Sequence, residues 1–412
     1  MDFTFIHAAD LHIDSPFAAL GRKNAEAAAF FAQASRRAVQ ALVDQTIQSK
    51  AAFLVIAGDV FDGDWADVST GLFLMREFVR LERANVPVIM LRGNHDAESR
   101  MSRGLKWPDN VMEFSTRKAE SFELAHLRTV LHGRGFPDRA VEADFVRSYP
   151  PRRDGWLNIG VLHTSLEGNA NHAVYAPCSI VDLKNFGYDY WALGHVHQAA
   201  VIEREPYIVY PGNLQGRSIR ETGAKGAMSV SVSDGRIADV QPLDLGPARW
   251  AHVEIDIAAC DALDDVYTHI HARLGEAHAQ ADGRALAVRI TLTGATSLHD
   301  RLLAERVALE EQALGIAERV SAQCWIEKIR LATKPPQTLV PDLETKSLGL
   351  GGILDEAAED AEFAAQFASL AGEIAQKLPP EVRALFEQEV ENAGLRDAAR
   401  HYLAGVLGQG AK

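Results

Sequence analysis

Short apolar runs alternate with helical stretches along the first half of the chain. Phe3–Ala8 predicts a strand. In 35-SRRAVQALVDQTIQ-48, Val39, Leu42, Val43 and Ile47 recur at helical spacing behind Ser35, a candidate N-cap. Phe53–Ala57 is apolar throughout, as expected of a strand covered on both faces. Ser69 is placed to cap a second helix running to about Arg83, and Pro87–Leu91 is a third strand. Strand–helix–strand–helix–strand implies a parallel, right-handed α/β unit.

Further strands are expected at Thr129–His132, Leu157–His163, Trp191–Leu193 and Tyr207–Tyr210. The alternating run 226-GAMSVSVSDGRIADV-240, with Asp-Gly at its centre, reads as a hairpin. A boundary is expected at 245-LGPAR-249, closing a first domain over 1–245. Beyond it, 250-WAHVEIDI-257, 285-ALAVRITLT-293 and 325-WIEKIRLAT-333 read as strands separated by helices over Ala262–Gly275 and Ser297–Glu311, a smaller αβ module over 250–334. Residues 335–412 begin with the rest of the Pro-rich linker 334-KPPQTLVPD-342. They continue as an acidic, Ala/Glu-rich helical tail, a solvated or partner-binding arm rather than a DNA contact.

Composition narrows the class. At 412 residues two or three domains are expected, and 47% hydrophobic with 24% charged residues is ordinary for a globular protein. Cys178, Cys260 and Cys324 lie far apart with no CxxC pair, which argues against a disulfide framework or a thiolate zinc site. The start, 1-MDFTFIHAAD-10, does not read as a signal peptide, and no apolar run approaches the roughly 18 residues a membrane helix needs. The expectation is a cytoplasmic protein with no membrane association. A net charge of −14 does not advertise nucleic-acid binding, although a local basic patch or bound divalent cations can reverse the sign at one site.

Candidate chemistry collects just past the predicted strands. Asp10 and His12 follow the first, Asp59 the second, and Asn94, His95 and Asp96 the third, in 92-RGNHD-96; His163 closes 159-IGVLHTS-165, and His195 and His197 lie in 193-LGHVHQ-198. Ligands of open α/β sheets bind outside the carboxyl ends of the strands. Taken singly, an Asp there usually caps a turn or helix, and a lone His is more often a surface or core residue. Their joint recurrence after five apolar segments points to one site.

Carboxylate, imidazole and amide oxygen without thiolate suit Mn²⁺, Fe²⁺ or Zn²⁺. The ligands are too many for one ion, and two adjacent ions need a bridging carboxylate, for which Asp59 is the natural choice. Such a pair polarises a phosphoryl group and activates water. Asn94 offers its amide oxygen, His95 points into the cleft as a candidate acid, and Asp96 is expected to orient it.

The ordered series 10-DLH-12, 58-GDVFD-62, 93-GNHD-96, His163 and 194-GHVH-197 resembles the signature of the calcineurin-like metallophosphoesterases. The stretches 5-FIHAADLHIDSPF-17, 163-HTSLEGNANHAVYAPC-178 and 210-YPGNLQGRSIRETGAKG-226 look like the YhaO-type DNA repair exonucleases, relatives of the nuclease subunit of the SbcCD complex. The resemblance implies a two-sheet sandwich flanked by helices, a smaller αβ capping domain that contacts DNA, and a helical tail. It implies two divalent ions, most simply Mn²⁺, one held by Asp10, His12, Asp59 and His197 and the other by Asp59, Asn94, His163 and His195. His95 would be the catalytic acid. Some relatives carry His where this chain has Asp62, which is read here as supporting the ligands.

The implied function is a two-metal DNA exonuclease, with possible single-strand endonuclease activity, working as a homodimer with an SMC-like ATPase subunit. Arg103 (with Arg100, Lys106 and Trp107), Arg217 and Arg220 (with Lys225), and 147-RSYPPRR-153 are candidate DNA contacts on the metal side. The alternative is a phosphoesterase acting on small-molecule or protein phosphates. A third class is a scaffold whose site is empty, against which the intact ligand set argues.

Overall fold

The computed structural model describes residues 2–15, 25–62, 68–98, 106–139, 141, 144–166, 178–336, 360–377 and 383. Two compact units emerge: Met1–Ala251 with Ala281–Ala287, and His252–Gln280 with Val288–Lys412.

The first unit contains two six-stranded sheets. In one, β1 (Phe3–Ala8), β2 (Leu54–Ala57), β3 (Val88–Leu91) and β4 (Val111–Glu113) run parallel in that order. The hairpin β11 (Gly226–Ser233) and β12 (Arg236–Asp244) adds antiparallel beside β1. Its turn is the Asp234-Gly235 pair, both at positive φ (51° and 73°), as two-residue hairpins prefer. In the other sheet the order is β5 (Glu120–Leu124), β6 (Thr129–Gly133), β7 (Leu157–His163), β8 (Tyr190–Gly194), β10 (Tyr207–Tyr210) and β9 (Ala200–Arg204). Its four inner strands are parallel and its two edge strands antiparallel.

The unbroken apolar runs follow from this layering, because each central strand is covered on both faces. In β2, Val55 and Ala57 join Phe5, Ile89, Ile159, Val161, Tyr190 and Ala192 in the core between the sheets. Leu54 and Ile56 face outward against Val39, Leu42 and Val43 of α1 (Ala25–Gln48) and Leu74, Phe78 and Leu81 of α2 (Val68–Arg83). On the far side Trp191, Leu193 and Leu162 pack with Phe145, Tyr149 and Leu183 of α4 (Ile180–Phe186). The result is the helix-flanked two-sheet sandwich the resemblance implied.

Some local expectations fail for identifiable reasons. Ser35 is not a cap: α1 begins at Ala25, and the buried Ser35 hydroxyl accepts the backbone N–H of Asp14 at 3.0 Å. The Ala-rich stretch before it carries helix propensity but no periodic face to read. Strands β4, β5 and β9 lie at sheet edges with mixed burial, and their short runs carry no clear period to read.

His7 of β1 is fully buried and ties the sheets together, with Tyr190 Oη at 3.0 Å from Nδ1 and the Leu193 carbonyl at 3.2 Å from Nε2. Nε2 therefore donates to the carbonyl and Nδ1 accepts from the phenol. Burial pushes its pKa down to about 3, although the Leu193 carbonyl pulls the other way. Since the unfolded value lies near 6.5, the unfolded chain binds the extra proton between pH ~6.5 and ~3, and stability falls as pH drops through that window. The expected loss between pH 7 and 4.5 is about 2–3 kcal/mol from this group. His7→Gln, which takes up no proton, should lose that much less in denaturant titrations at the two pH values; equal losses would refute the assignment.

In the second unit β13 (Ala248–Asp256), which starts in the first, β14 (Ala285–Ala295) and β15 (Cys324–Lys334) form one sheet in that order. Helices α5 (Leu263–Gln280), α6 (His299–Ala304) and α7 (Arg306–Val320) accompany it. The single helix expected over 297–311 is two, separated at Glu305. Arg289 grips Glu327 through two hydrogen bonds of 2.6 and 2.7 Å. In the tail, α8 (Ala361–Lys377) is described, while linker residues 337–342 lie outside the described residues. No described helix is long and apolar enough to cross a membrane.

Candidate metal centre

The carboxyl ends of the parallel strands in both sheets deliver the predicted residues to one place. Asp10 follows β1, Asp59 follows β2, α3 (Asn94–Glu98) follows β3, His163 ends β7 and His195 follows β8. The first two loops are stitched by the N–H groups of Asp10, His12 and Ile13 donating to the carbonyls of Gly58 (3.0 Å), Asp59 (3.1 Å) and Val60 (3.1 Å). Asp10, His12, Asp59 and His195 all sit at positive φ (52°, 40°, 53° and 99°). Non-glycine residues rarely adopt this region, and such strain concentrates where surrounding structure fixes a side chain for function.

Among the described residues three groups of potential ligand atoms form: one of His12, Asp62 and His95, and two that meet at Asp59. In one of these two, His12 Nε2 lies 3.2 Å from His197 Nε2, each is 3.9 Å from Asp10 Oδ1, and Asp59 Oδ2 is 3.7 Å from His12 Nε2. In the other, His163 Nε2 lies 2.9 Å from Asn94 Oδ1 and 3.4 Å from the same Asp59 Oδ2, with the His195 ring beside it at 5.2 Å. Asp59 Oδ1 is engaged by the backbone N–H of His95 at 2.9 Å, so a single oxygen, Oδ2, faces both groups.

The donor set fits divalent cations. His197 Nδ1 is 2.7 Å from Glu221 Oε1 and His163 Nδ1 is 2.9 Å from the Ala57 carbonyl, so both rings donate from Nδ1 and turn Nε2 toward the ligand groups. Burial lowers the pKa of His12, favouring its neutral form. His197 Nε2 faces His12 Nε2 at 3.2 Å and Asp10 Oδ1 at 3.9 Å, a convergence of donor atoms that a cation can fill. The 3.2 and 3.4 Å separations match the edges of a shell with bonds near ~2.1 Å, about 3.0–3.4 Å, and those of 3.7–3.9 Å are longer. His163 shows the same demand: burial disfavours its imidazolium, yet Asp59 and Asp10 raise its pKa to about 9. Burial likewise opposes ionisation of Asp59, but His163, His12 and His95 hold it well below the usual carboxylate range.

The motif glycines are required by contact. A Cβ on Gly93 would lie 2.2 Å from Asp59 Oδ1, and one on Gly58, at φ 95°, would lie 2.6 Å from His163 Nδ1.

His95 stands beside the clusters, its ring 5.0 Å from that of His12 and its side chain 29% exposed, reachable by a substrate. The carboxylate that orients it is Asp62, with Oδ1 3.2 Å from His95 Nδ1, and not Asp96 as the adjacent sequence suggested. Asp96 is buried and accepts the backbone N–H groups of Val60 (3.2 Å), Phe61 (2.8 Å) and Gly93 (3.0 Å), clamping two motif loops together. Burial and the charge of Asp59 push its pKa up to about 7 against those three donors. Asp62 also lies 3.4 Å from His12 Nδ1, accepts from Ser15 Oγ at 2.6 Å and pairs with Arg217 at 3.3 Å. Burial opposes its ionisation, but bonds from His12, His95 and Ser15 hold its pKa far below normal. The Asp62 hydrogen bond in turn raises the pKa of His95, outweighing burial.

Of the candidate substrate contacts, Arg217 lies at the site through Asp62, Arg220 is exposed on the same segment, and Arg103 and Arg100 lie outside the described residues. Trp107 packs against Phe78 at 5.5 Å and donates to Glu113, so it serves the core. Lys225 is buried and donates to the His197 carbonyl at 2.8 Å. Arg152 and Arg153, expected on the metal side, are at the opposite end of β7: Arg152 donates to the Gly187 carbonyl and Arg153 pairs with Glu123. Glu221 was not legible as part of the site. It is one carboxylate in a loop rich in arginine, with no periodicity or motif to single it out.

Residues 3–199 match the family described as Calcineurin-like phosphoesterase, and residues 250–334 match the family described as Metallophosphoesterase YhaO, middle domain. The chain is 31% identical over 297 residues to the uncharacterized metallophosphoesterase YhaO of Bacillus subtilis (strain 168), covering 71% of this chain and 72% of that protein. Solved structures with similarity include TT1561 of Thermus thermophilus (11% identity, TM-score 0.34, 59% of this chain and 99% of that one). A dimetal phosphatase from Danio rerio is another (13% identity, TM-score 0.36, 56% of this chain and 93% of that one). With its ligand residues drawn together around Asp59, the chain belongs to the calcineurin-like metallophosphoesterases of the YhaO type.

Proposed function

We propose that this metallophosphoesterase is a two-metal DNA exonuclease that hydrolyses phosphodiester bonds in DNA repair. The observation that carries the metal chemistry is Asp59 Oδ2, 3.7 Å from His12 Nε2 and 3.4 Å from His163 Nε2, with His95 poised beside it. Asp10, His12 and His197 would share Asp59 with Asn94, His163 and His195. The thiolate-free set suits Mn²⁺, Fe²⁺ or Zn²⁺, and the choice of Mn²⁺ in this proposal rests on the family resemblance. When bound, the two cations supply Lewis-acid polarisation of the phosphoryl group and lower the pKa of the attacking water.

The chain's own residues do the rest. Asp62 accepts the Nδ1 proton of His95, which leaves Nε2 to protonate the leaving oxygen as the P–O bond breaks. A cationic imidazole there also offsets charge building on the phosphoryl oxygens. The exposed Arg220, and Arg217 beside Asp62, are the cationic groups proposed to meet the flanking phosphates of a polyanionic substrate. The module over 250–334 would guide the duplex. A homodimer and an SMC-like ATPase partner belong to the same proposal and rest on the family resemblance.

The test is a comparison of end-labelled duplex DNA, single-stranded DNA and a small phosphodiester with purified protein and added Mn²⁺, with Asp59→Ala and His95→Ala as controls. Nucleotides released from DNA ends, and lost in both variants, are expected. Turnover of the small ester alone would sink the nuclease reading in favour of a phosphoesterase for small-molecule or protein phosphates. No turnover of any substrate would point to a scaffold.

A further inference from the structure

Glu221 belongs to neither ligand group at Asp59, yet its side chain, 15% exposed, is engaged on both oxygens. Oε1 accepts the Nδ1 proton of His197 at 2.7 Å. Oε2 accepts the side-chain amide of Asn213 at 2.8 Å and the backbone N–H of Arg217 at 2.6 Å. Arg217 then reaches Asp62, and Asp62 reaches His95, so a chain of polar contacts runs from a metal-ligand candidate to the acid.

We infer that Glu221 is the positioning residue that fixes His197 for one of the two ions, and that the same carboxylate holds the Arg217 loop in place beside it. A neutral imidazole has one N–H. A carboxylate holding that proton at Nδ1 locks the tautomer, stops ring rotation and raises the basicity of Nε2. The other ion's ligand is secured differently, since His163 Nδ1 is held by the main-chain carbonyl of Ala57, which no substitution at Glu221 disturbs. The two sites therefore respond unequally to loss of Glu221, which general damage to the fold would not produce.

The inference rests on the metal-centre reading, and its test needs neither DNA nor turnover. Mn²⁺ alone is titrated into wild type, Glu221→Gln and Glu221→Asp, followed by calorimetry and by electron paramagnetic resonance of free Mn²⁺. Wild type is expected to take two ions per chain. Glu221→Gln should keep one at wild-type affinity and bind the other 10–100-fold more weakly, as loss of an outer partner of a ligating His typically costs. Glu221→Asp should recover part of the deficit. In a His197→Ala background, Glu221→Gln should change neither remaining constant. Two unchanged affinities in Glu221→Gln, or two that fall together, would overturn the inference. A wild type that binds two ions but leaves DNA intact would remove the nuclease proposal and leave this one standing.

Discussion

Replacing Asp59 with asparagine should leave a folded protein that no longer holds two divalent ions side by side and hydrolyses phosphoesters at least about 10³-fold more slowly. Asparagine preserves an oxygen for the His95 N–H, at 2.9 Å in the native site, so the local loop geometry survives. It replaces Oδ2, the one atom facing both His12 and His163, with an amide nitrogen that cannot ligate. A shared ligand removed weakens both ions at once and takes away several kcal/mol of transition-state charge stabilisation. At about 1.36 kcal/mol per decade this corresponds to three or more decades in rate. Bound Mn²⁺ per chain and turnover check the two limbs. A variant with two ions and near wild-type rate would remove Asp59 from the bridging position.

His95→Ala should behave in the opposite way toward metal. It contributes no atom to either ligand group around Asp59, so ion stoichiometry and affinity should stay close to wild type. The rate on the proposed DNA substrate should fall 10²–10⁴-fold, the usual range for a lost general acid. The loss should shrink on a diester with a nitrophenolate leaving group, because that group departs without a proton. Asp62→Asn should lower the pKa of His95, whose largest support is the Asp62 hydrogen bond. An equal loss on both substrates would argue that His95 acts through charge or shape rather than by proton transfer.

The ligand residues were readable because each follows an apolar run that can only be a buried strand, and parallel strands present their carboxyl ends to one edge. That places Asp10, Asp59, Asn94 and His163 at one edge, while the ion each would hold was implied only by the family resemblance. The partner of His95 was misread because adjacency in sequence suggested Asp96. Asn94 to Glu98 is helical, however, and consecutive helical side chains point about 100° apart. Asp96 turns into the loops of Val60, Phe61 and Gly93, while Asp62 arrives from the end of a different strand. Glu221 was missed for the same reason: it meets His197 from 24 positions away through a fold in the chain. Arg152 and Arg153 show the converse error, since a basic segment carries no mark of the strand end at which it will emerge.

Local pattern by itself determined the central strands, the order of ligand-bearing loops and the metal-type donor set, because burial on two faces and hard-ligand chemistry both leave a trace in residue type. Only the tertiary structure decided which oxygen of Asp59 lies between the clusters, which carboxylate holds His95 and which one locks His197. Those are contacts between side chains far apart in the chain, and at distances near 3 Å they depend on the packing of two sheets against each other, about which neighbouring residues carry no information.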